Sequence, residues 1–253
     1  MGLSFRQKFF PLRYWTKIAA SAVQATLRQA FATWGLPQHI RFDNGKPWGN
    51  PSSKVPTALA LWLVGLKVQP LFGRPRQSTD NAVVERCHGV LEAWVEPQSC
   101  PTLQHLRQRL NDFVCLQREG YPSAQQSRLQ RFPDLVRNPR VYRPDQEEHI
   151  WDLQQVLHDV ARFTFIRTVE KNGRITLMTH EYTLGRAWSS QRVTAQLDPV
   201  SIHWVIKNRH GEAIAQIPAL QFSYALIATL SLTHQYFKAN LAGASREVQP
   251  YGA

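Results

Sequence analysis

Two carboxylates in the first third of the sequence have the setting that metal chemistry needs. Asp43 closes a short run in which Ile40 and Phe42 alternate with polar residues, and Glu85 stands 42 positions later, near the start of a helical pattern. Mg2+ and Mn2+ take hard oxygen ligands. Carboxylates on neighbouring rigid elements can bridge two such ions about 4 Å apart, an arrangement that drives phosphodiester chemistry. Taken singly, each has an ordinary reading: Asp43-Asn44-Gly45 is a turn, and a Glu near a helix start complements the helix dipole. Basic residues surround the pair. Lys46 follows Asp43, and Arg74, Arg76 and Arg86 flank the approach to Glu85, where they suit phosphate contact or plain surface charge. His88 beside Cys87 does not extend to a zinc site, because no second pair is correctly spaced. Cys87, Cys100 and Cys115 fit neither a disulfide framework nor a C-x-x-C pair, which points to a reducing cytosol.

The elements that must position these residues are legible. Lys17 to Trp34 carries Ala20, Val23, Leu27, Ala30 or Phe31, and Trp34 at helical spacing and stops at Gly35 and Pro37. A strand from Gln38 to Asp43 follows, then a helix from Val55 to Leu66 and a strand from Val68 to Phe72. The loop Gly73 to Asp80 leads to a helix from about Asn81 to Val95. Its expected core stripe is Val84, Cys87, Leu91, Trp94 and Val95, with Glu85, Gly89 and Glu92 on an adjoining face. A further helix is expected over Thr102 to Glu119. Strand and helix alternation of this kind favours an α/β sheet.

The stretch from Ala20 to Glu96 resembles the integrase core domain shared by bacterial DDE transposases and retroviral integrases. The residues that carry the resemblance are Trp34-Gly35-Leu36-Pro37, Arg41-Phe42-Asp43-Asn44-Gly45, Gln77-Ser78-Thr79-Asp80-Asn81 and Val83-Val84-Glu85-Arg86. It implies that Asp43 is the second catalytic aspartate and Glu85 the catalytic glutamate, both ligands of Mg2+ or Mn2+. The interval is somewhat longer than usual, and the loop Pro47 to Ser53 can take up the excess. The family's first aspartate lies on a central strand upstream of the first helix, whereas here no Asp or Glu precedes Asp43. Residues 1 to 16 offer at most one remnant strand, Ser4 to Phe10. The expectation is therefore an N-terminally truncated chain, arising in evolution, by a frameshift or by a late start, and inactive by itself in strand transfer.

Downstream, Pro122 to Gln146 reads as a basic, proline-containing linker. After a short helix from Trp151 the period switches to two, with strands expected at 163–169, 174–178, 181–184, 192–197, 202–206 and 212–217. Lys171-Asn172-Gly173 is a hairpin signal joining the first two. Five or six short strands argue for a small barrel, and they resemble the small C-terminal barrel of bacterial transposases. Lys171, Arg174, Arg186, Arg192, Lys207 and Arg209 fall in or near its turns. Of these, Lys171, Arg174 and Arg192 join Lys46, Arg74, Arg76 and Arg86 as candidate DNA contacts, and Trp204 is assigned to the core. Residues 217–237 are too polar for a lipid-facing span and read mainly as a packed helix.

The expected fold class is thus α/β then all-β: an incomplete ribonuclease H-like core lacking its first strands, followed by a small β-barrel. The domains are 1–121 for the partial core, 122–150 for the linker, 151–220 for the barrel, and 221–253 for a C-terminal helix and tail. Net charge is +12 over 253 residues with a pI near 10.1, which favours a polyanionic partner. Eleven of the Lys and Arg residues, against only Asp43 and Asp80, lie in positions 1–80. The functional expectation is a DNA transposition or integration protein of a mobile element in a prokaryotic cytoplasm. Its partners would be DNA and a second copy or a full-length transposase, with no membrane role. The alternative is a non-catalytic DNA-binding accessory or regulator of such an enzyme. An RNA-binding module lacks any aromatic-rich motif here.

Overall fold

The computed structural model describes residues 19–42, 45, 47–48, 55–73, 82–120, 125–133 and 138–230. The chain is helical and α/β in its first part and β-rich afterwards. It divides into two compact units, one of residues 1–37, 41–43 and 72–143, the other of residues 38–40, 44–71 and 144–253.

In the first unit, α1 (Ala20–Trp34) buries Val23, Gln24 and Phe31 along one stripe. Gly35 ends it at φ 76, with its N–H on the Phe31 carbonyl at 2.7 Å. A Cβ at Gly35 would lie 2.7 Å from Asn138 Cγ. That closeness has a use, because Asn138 Nδ2 donates to the carbonyls of Trp34 and Leu36 at 3.0 and 3.2 Å. Arg140 adds a bond to the Pro37 carbonyl at 2.7 Å, and Tyr142 meets Phe31 edge to face at 5.8 Å. Residues 138–142 are therefore an integral part of this unit, although the sequence places them in a linker.

Two helices, α3 (Ala82–Val95) and α4 (Leu103–Cys115), form a hairpin in the same unit. Val95, Leu106 and Phe113 make its core, flanked by Val90, Leu91, Cys100 and Leu110. Arg109 fastens the bend, donating to Ser99 Oγ at 2.8 Å and the Trp94 carbonyl at 3.3 Å, and pairing with Glu96 at 3.3 Å. The expected stripe on α3 is only half right. Leu91 and Val95 face α4, whereas Cys87 and Trp94 are exposed. A single neighbouring helix covers about one side of α3, so the seam narrows to residues three to five apart. Two short segments complete the described part: a π-type turn at Leu116–Gly120 and α5 (Arg128–Arg131), which Ser127 and Gln130 close with a reciprocal capping box.

Strands β1 (His39–Phe42) and β2 (Gln69–Phe72) form a two-stranded sheet on either side of α2 (Ala58–Gly65). Gln69 N–H donates to the Gln38 carbonyl at 2.9 Å and Gly73 N–H to the Phe42 carbonyl at 3.1 Å. The second bond is advanced equally along both strands, so the pair runs parallel, as a strand-helix-strand crossover requires. Every residue from Leu59 to Gly65 on α2 is buried, and Thr57 caps the helix through Ala60 N–H at 3.2 Å. A helix without a polar face must be covered all round.

In the second unit that cover comes from the C-terminal part of the chain. The helices α7 (Leu153–Ala161) and α8 (Tyr224–Ala228) both contact α2. α6 (Glu147–Ile150) ties α2 to α8: its Glu147 is 2% exposed and accepts from Trp62 Nε1 and Tyr224 Oη at 3.0 Å each. Trp151 Nε1 donates to the Trp62 carbonyl at 3.1 Å and lies where a Cβ on Gly65 would be, 2.0 Å away. The second unit therefore does not coincide with residues 151–220. It includes α2, which among the described residues packs against the helices at 153–161 and 224–228 and bonds to Glu147 and Trp151.

The six strands of this unit match the expected ones within a residue or two: β3 (Phe165–Thr168), β4 (Arg174–Leu177), β5 (His180–Thr183), β6 (Arg192–Asp198), β7 (His203–Lys207) and β8 (Ala213–Pro218). Their pairing differs from the expectation. β3, β6, β7 and β8 form one antiparallel sheet in that order, and β4 pairs only with β5. Among the described residues there is no closed barrel. Nor does Lys171-Asn172-Gly173 join paired strands: it turns the chain from the sheet into the ribbon. Gly173, at φ 82, allows this, since a Cβ there would lie 2.4 Å from Gly185 carbonyl carbon. The ribbon's own bend is Met178-Thr179, both at positive φ, which the sequence does not advertise with Gly or Asn. The core sits under the sheet, where Phe165, Val193, Ala195, Leu197, Trp204, Ile206 and Ala215 are buried, and under the ribbon at Ile175, Leu177 and Tyr182. Tyr182 Oη receives Trp204 Nε1 at 3.1 Å and donates to Gln221, joining ribbon, sheet and the approach to α8.

Candidate metal and nucleic-acid site

β1 ends at Phe42, which is buried and lies 6.4 Å from the Phe72 ring at the end of β2. The parallel pair thus brings two strand ends together. Asp43 follows one of them directly, and the chain after the other runs through residues 74–81 to α3. Asp43 lies outside the described residues, as do Lys46, Arg74, Arg76 and the expected strand at Ser4 to Phe10. Glu85 is described. It stands in the first turn of α3 with its side chain exposed, and Arg86 beside it is exposed too.

Among the described residues no group of three or more His, Cys, Asp or Glu is placed to hold a metal ion. In chemistry the donors suit a hard divalent ion. In geometry, Glu85 is the one member of the expected pair that has a described position, so no ion geometry follows.

In the second unit the candidate cations separate by role. Lys171 is exposed in the turn before β4, and Arg192 is exposed at the start of β6, opposite Thr168. Arg174 is engaged, its Nη1 lying 3.2 Å from Glu181 across the ribbon. Arg167, which the sequence does not single out, is a structural cation. Its Nε donates to the Thr176 carbonyl at 2.8 Å, its guanidinium lies 5.7 Å from the Phe165 ring, and burial pulls its pKa below the usual arginine value. The alternation of Phe165 with Ile166 was the available signal, since it puts Arg167 on the inner side. Lys207, noted in the sequence only for lying near a turn, stands opposite Thr194 on β6, and Arg209 lies in the turn after β7 with its Nε on His210 Nε2 at 2.9 Å. Trp204 and Tyr182 belong to the core, as expected for Trp204.

Carboxylates elsewhere in this unit are structural. Asp152 caps α7 through Gln155 N–H at 3.2 Å and pairs with Lys67 at 3.2 Å, and these contacts, the backbone bond first, hold its pKa below the usual carboxylate value. Burial pushes Asp159 the other way. No described helix is long and apolar enough to cross a membrane.

No protein-family model matches the chain. Among solved structures, a cryo-EM structure of the simian T-cell lymphotropic virus intasome in complex with the PP2A regulatory subunit B56 gamma aligns at a TM-score of 0.36 and 17% identity, over 82% of this chain and 61% of that one. The chain spans about three fifths of that neighbour's length, and at this TM-score neither fold nor activity carries over.

Proposed function

We propose that the chain is a DNA transposition or integration protein of the DDE kind, with Asp43 and Glu85 as two of its metal-binding carboxylates. The observation that supports this reading is the setting of the two motifs. One follows the end of β1, the other occupies the first turn of the helix reached from the end of the parallel partner strand β2, and Glu85 is open to solvent there. Mg2+ or Mn2+ bound by this pair would supply Lewis-acid stabilisation of charge on a phosphodiester. Lys46, Arg74, Arg76 and Arg86 would hold the DNA backbone near it, and a second copy or a full-length transposase would complete the assembly. No acidic residue precedes Asp43 in residues 1–253. A third carboxylate must then come from a further segment or another chain, and residues 1–253 alone should bind DNA without joining or cleaving it.

Mn2+ binding followed by electron paramagnetic resonance tests the reading. Asp43→Asn and Glu85→Gln should each weaken Mn2+ binding by about tenfold or more, as loss of a charged oxygen ligand does. Mn2+ binding that is absent, or unchanged in both variants, overturns it and leaves a non-catalytic DNA-binding accessory as the function. Metal-dependent strand transfer by residues 1–253 alone would refute the need for a third carboxylate.

A further inference from the structure

The exit of α2 carries a strained residue. Lys67, two positions after Gly65, has φ 57, a left-handed conformation that crowds the Cβ of an L residue and that helix ends ordinarily give to glycine. Lys67 N–H donates to the Val64 carbonyl and Val68 N–H to the Leu63 carbonyl, each at 2.9 Å, the paired bonds of a left-handed helix exit. The C-terminal part of the chain completes the end. Asp152 N–H donates to the Gly65 carbonyl at 2.8 Å and Trp151 Nε1 to the Trp62 carbonyl at 3.1 Å, so every carbonyl from Trp62 to Gly65 has a donor. Lys67 Nζ also pairs with Asp152 Oδ2 at 3.2 Å, which ties the turn to the capping residue of α7.

What leaves this turn is β2. Val68 is fully buried, and pairing begins at Gln69, whose N–H meets the Gln38 carbonyl; Gly73 N–H then meets the carbonyl of Phe42, the residue before Asp43. The direction taken at Lys67 therefore sets the start of β2, and the pairing of β2 sets β1 as far as Phe42. Stability alone favours glycine at this position, because glycine removes the strain and an exposed ion pair contributes little. A lysine there adds stiffness to the turn and a tether to α7. Strain of this kind persists where the surrounding structure over-determines it, and it clusters at functional sites.

We propose that Lys67 is a positioning residue for the candidate metal site: its left-handed turn, tethered to Asp152, holds β2 in place and through β2 the end of β1 that Asp43 follows. The role rests on the functional reading above, since it has a purpose only where Asp43 binds metal.

The variant Lys67→Gly tests this in the whole chain. Glycine takes up the same turn without strain but with more freedom, so the unfolding midpoint should stay close to that of the unaltered protein. Mn2+ affinity, read by electron paramagnetic resonance, should fall by about 2- to 30-fold, the range over which residues remote from a ligand modulate its binding. The sign of the change separates the possible roles. Removing a cation favours Mn2+ electrostatically, so a role confined to charge raises the affinity, and a merely structural one leaves it unchanged. Lys67→Arg keeps the tether and should retain most of the affinity. Arg162→Ala breaks another exposed ion pair of the same unit, with Asp159, and should not alter it. Amide hydrogen exchange gives a readout that needs no metal: Gln69 and Gly73 should exchange faster in Lys67→Gly, with the amides of β7 unchanged. Unchanged or raised Mn2+ affinity in Lys67→Gly, or unchanged exchange at Gln69 and Gly73, overturns the proposal and leaves the functional reading standing. Absence of Mn2+ binding in the unaltered chain removes the functional reading, and the positioning role with it.

Discussion

Glu147 shows how one residue decides whether the second unit holds together. Its carboxylate is buried and receives two donors from distant parts of the chain, Trp62 on α2 and Tyr224 on α8. A buried donor stranded without an acceptor costs about 1–3 kcal/mol. Glu147→Ala strands two, so a destabilisation of about 2–4 kcal/mol is expected in chemical denaturation. Glu147→Gln keeps an oxygen at the same place and should cost less than about 1.5 kcal/mol. Equal losses in the two variants would show that charge, and not the acceptor, holds the three elements together. Nothing in the sequence singles out Glu147 over its neighbour Glu148, which is exposed, because the donors that distinguish them are 85 and 77 positions away.

At the scale of elements, α7 carries two aspartates whose titrations run in opposite directions. Asp152 has its pKa lowered by the Gln155 backbone bond and by Lys67, so its contribution is present above the unfolded value near 3.9 and is lost as pH falls through the folded one. The stability advantage of the wild type over Asp152→Asn should therefore shrink with acidification below about pH 4. Asp159 has its pKa raised by burial, so ionisation costs stability above the folded value. Relative to Asp159→Asn, the wild type should gain as pH falls. Unfolding midpoints between neutral pH and about pH 3 would show the two slopes, and slopes of the same sign would contradict the assigned environments. The capping role of Asp152 is visible in the sequence as an Asp before an apolar-periodic run. Lys67 as its partner is not, because only the packing of α2 against α7 brings the end of α2 to the start of α7.

For the whole molecule, the division of the chain matters more than the number of its elements. α2 lies between the two carboxylate motifs in sequence, yet it is the apolar centre of the unit that contains the C-terminal sheet. A fragment of residues 144–253 lacks that centre and leaves the faces of α7 and α8 uncovered. It should show no cooperative thermal unfolding, whereas residues 1–253 should unfold with a clear transition; a cooperative fragment would mean that α2 is dispensable. Local pattern alone determined much of this protein. The helical stripe of α1, the turn signals after β1 and the period-two runs near Arg192 and Trp204 all place elements to within a few residues, because capping, periodicity and turn chemistry act over a few positions. Tertiary structure decided the rest. It left no closed barrel among the described residues, sent the Lys171-Asn172-Gly173 turn between unpaired strands, exposed Cys87 and Trp94, and built residues 138–142 into the first unit. It also set Lys207 opposite Thr194, two residues along β6 from Arg192. Each of these depends on which surfaces meet across long sequence separations, and an apolar stripe or a strand edge states only that it must be covered, without naming the partner that covers it.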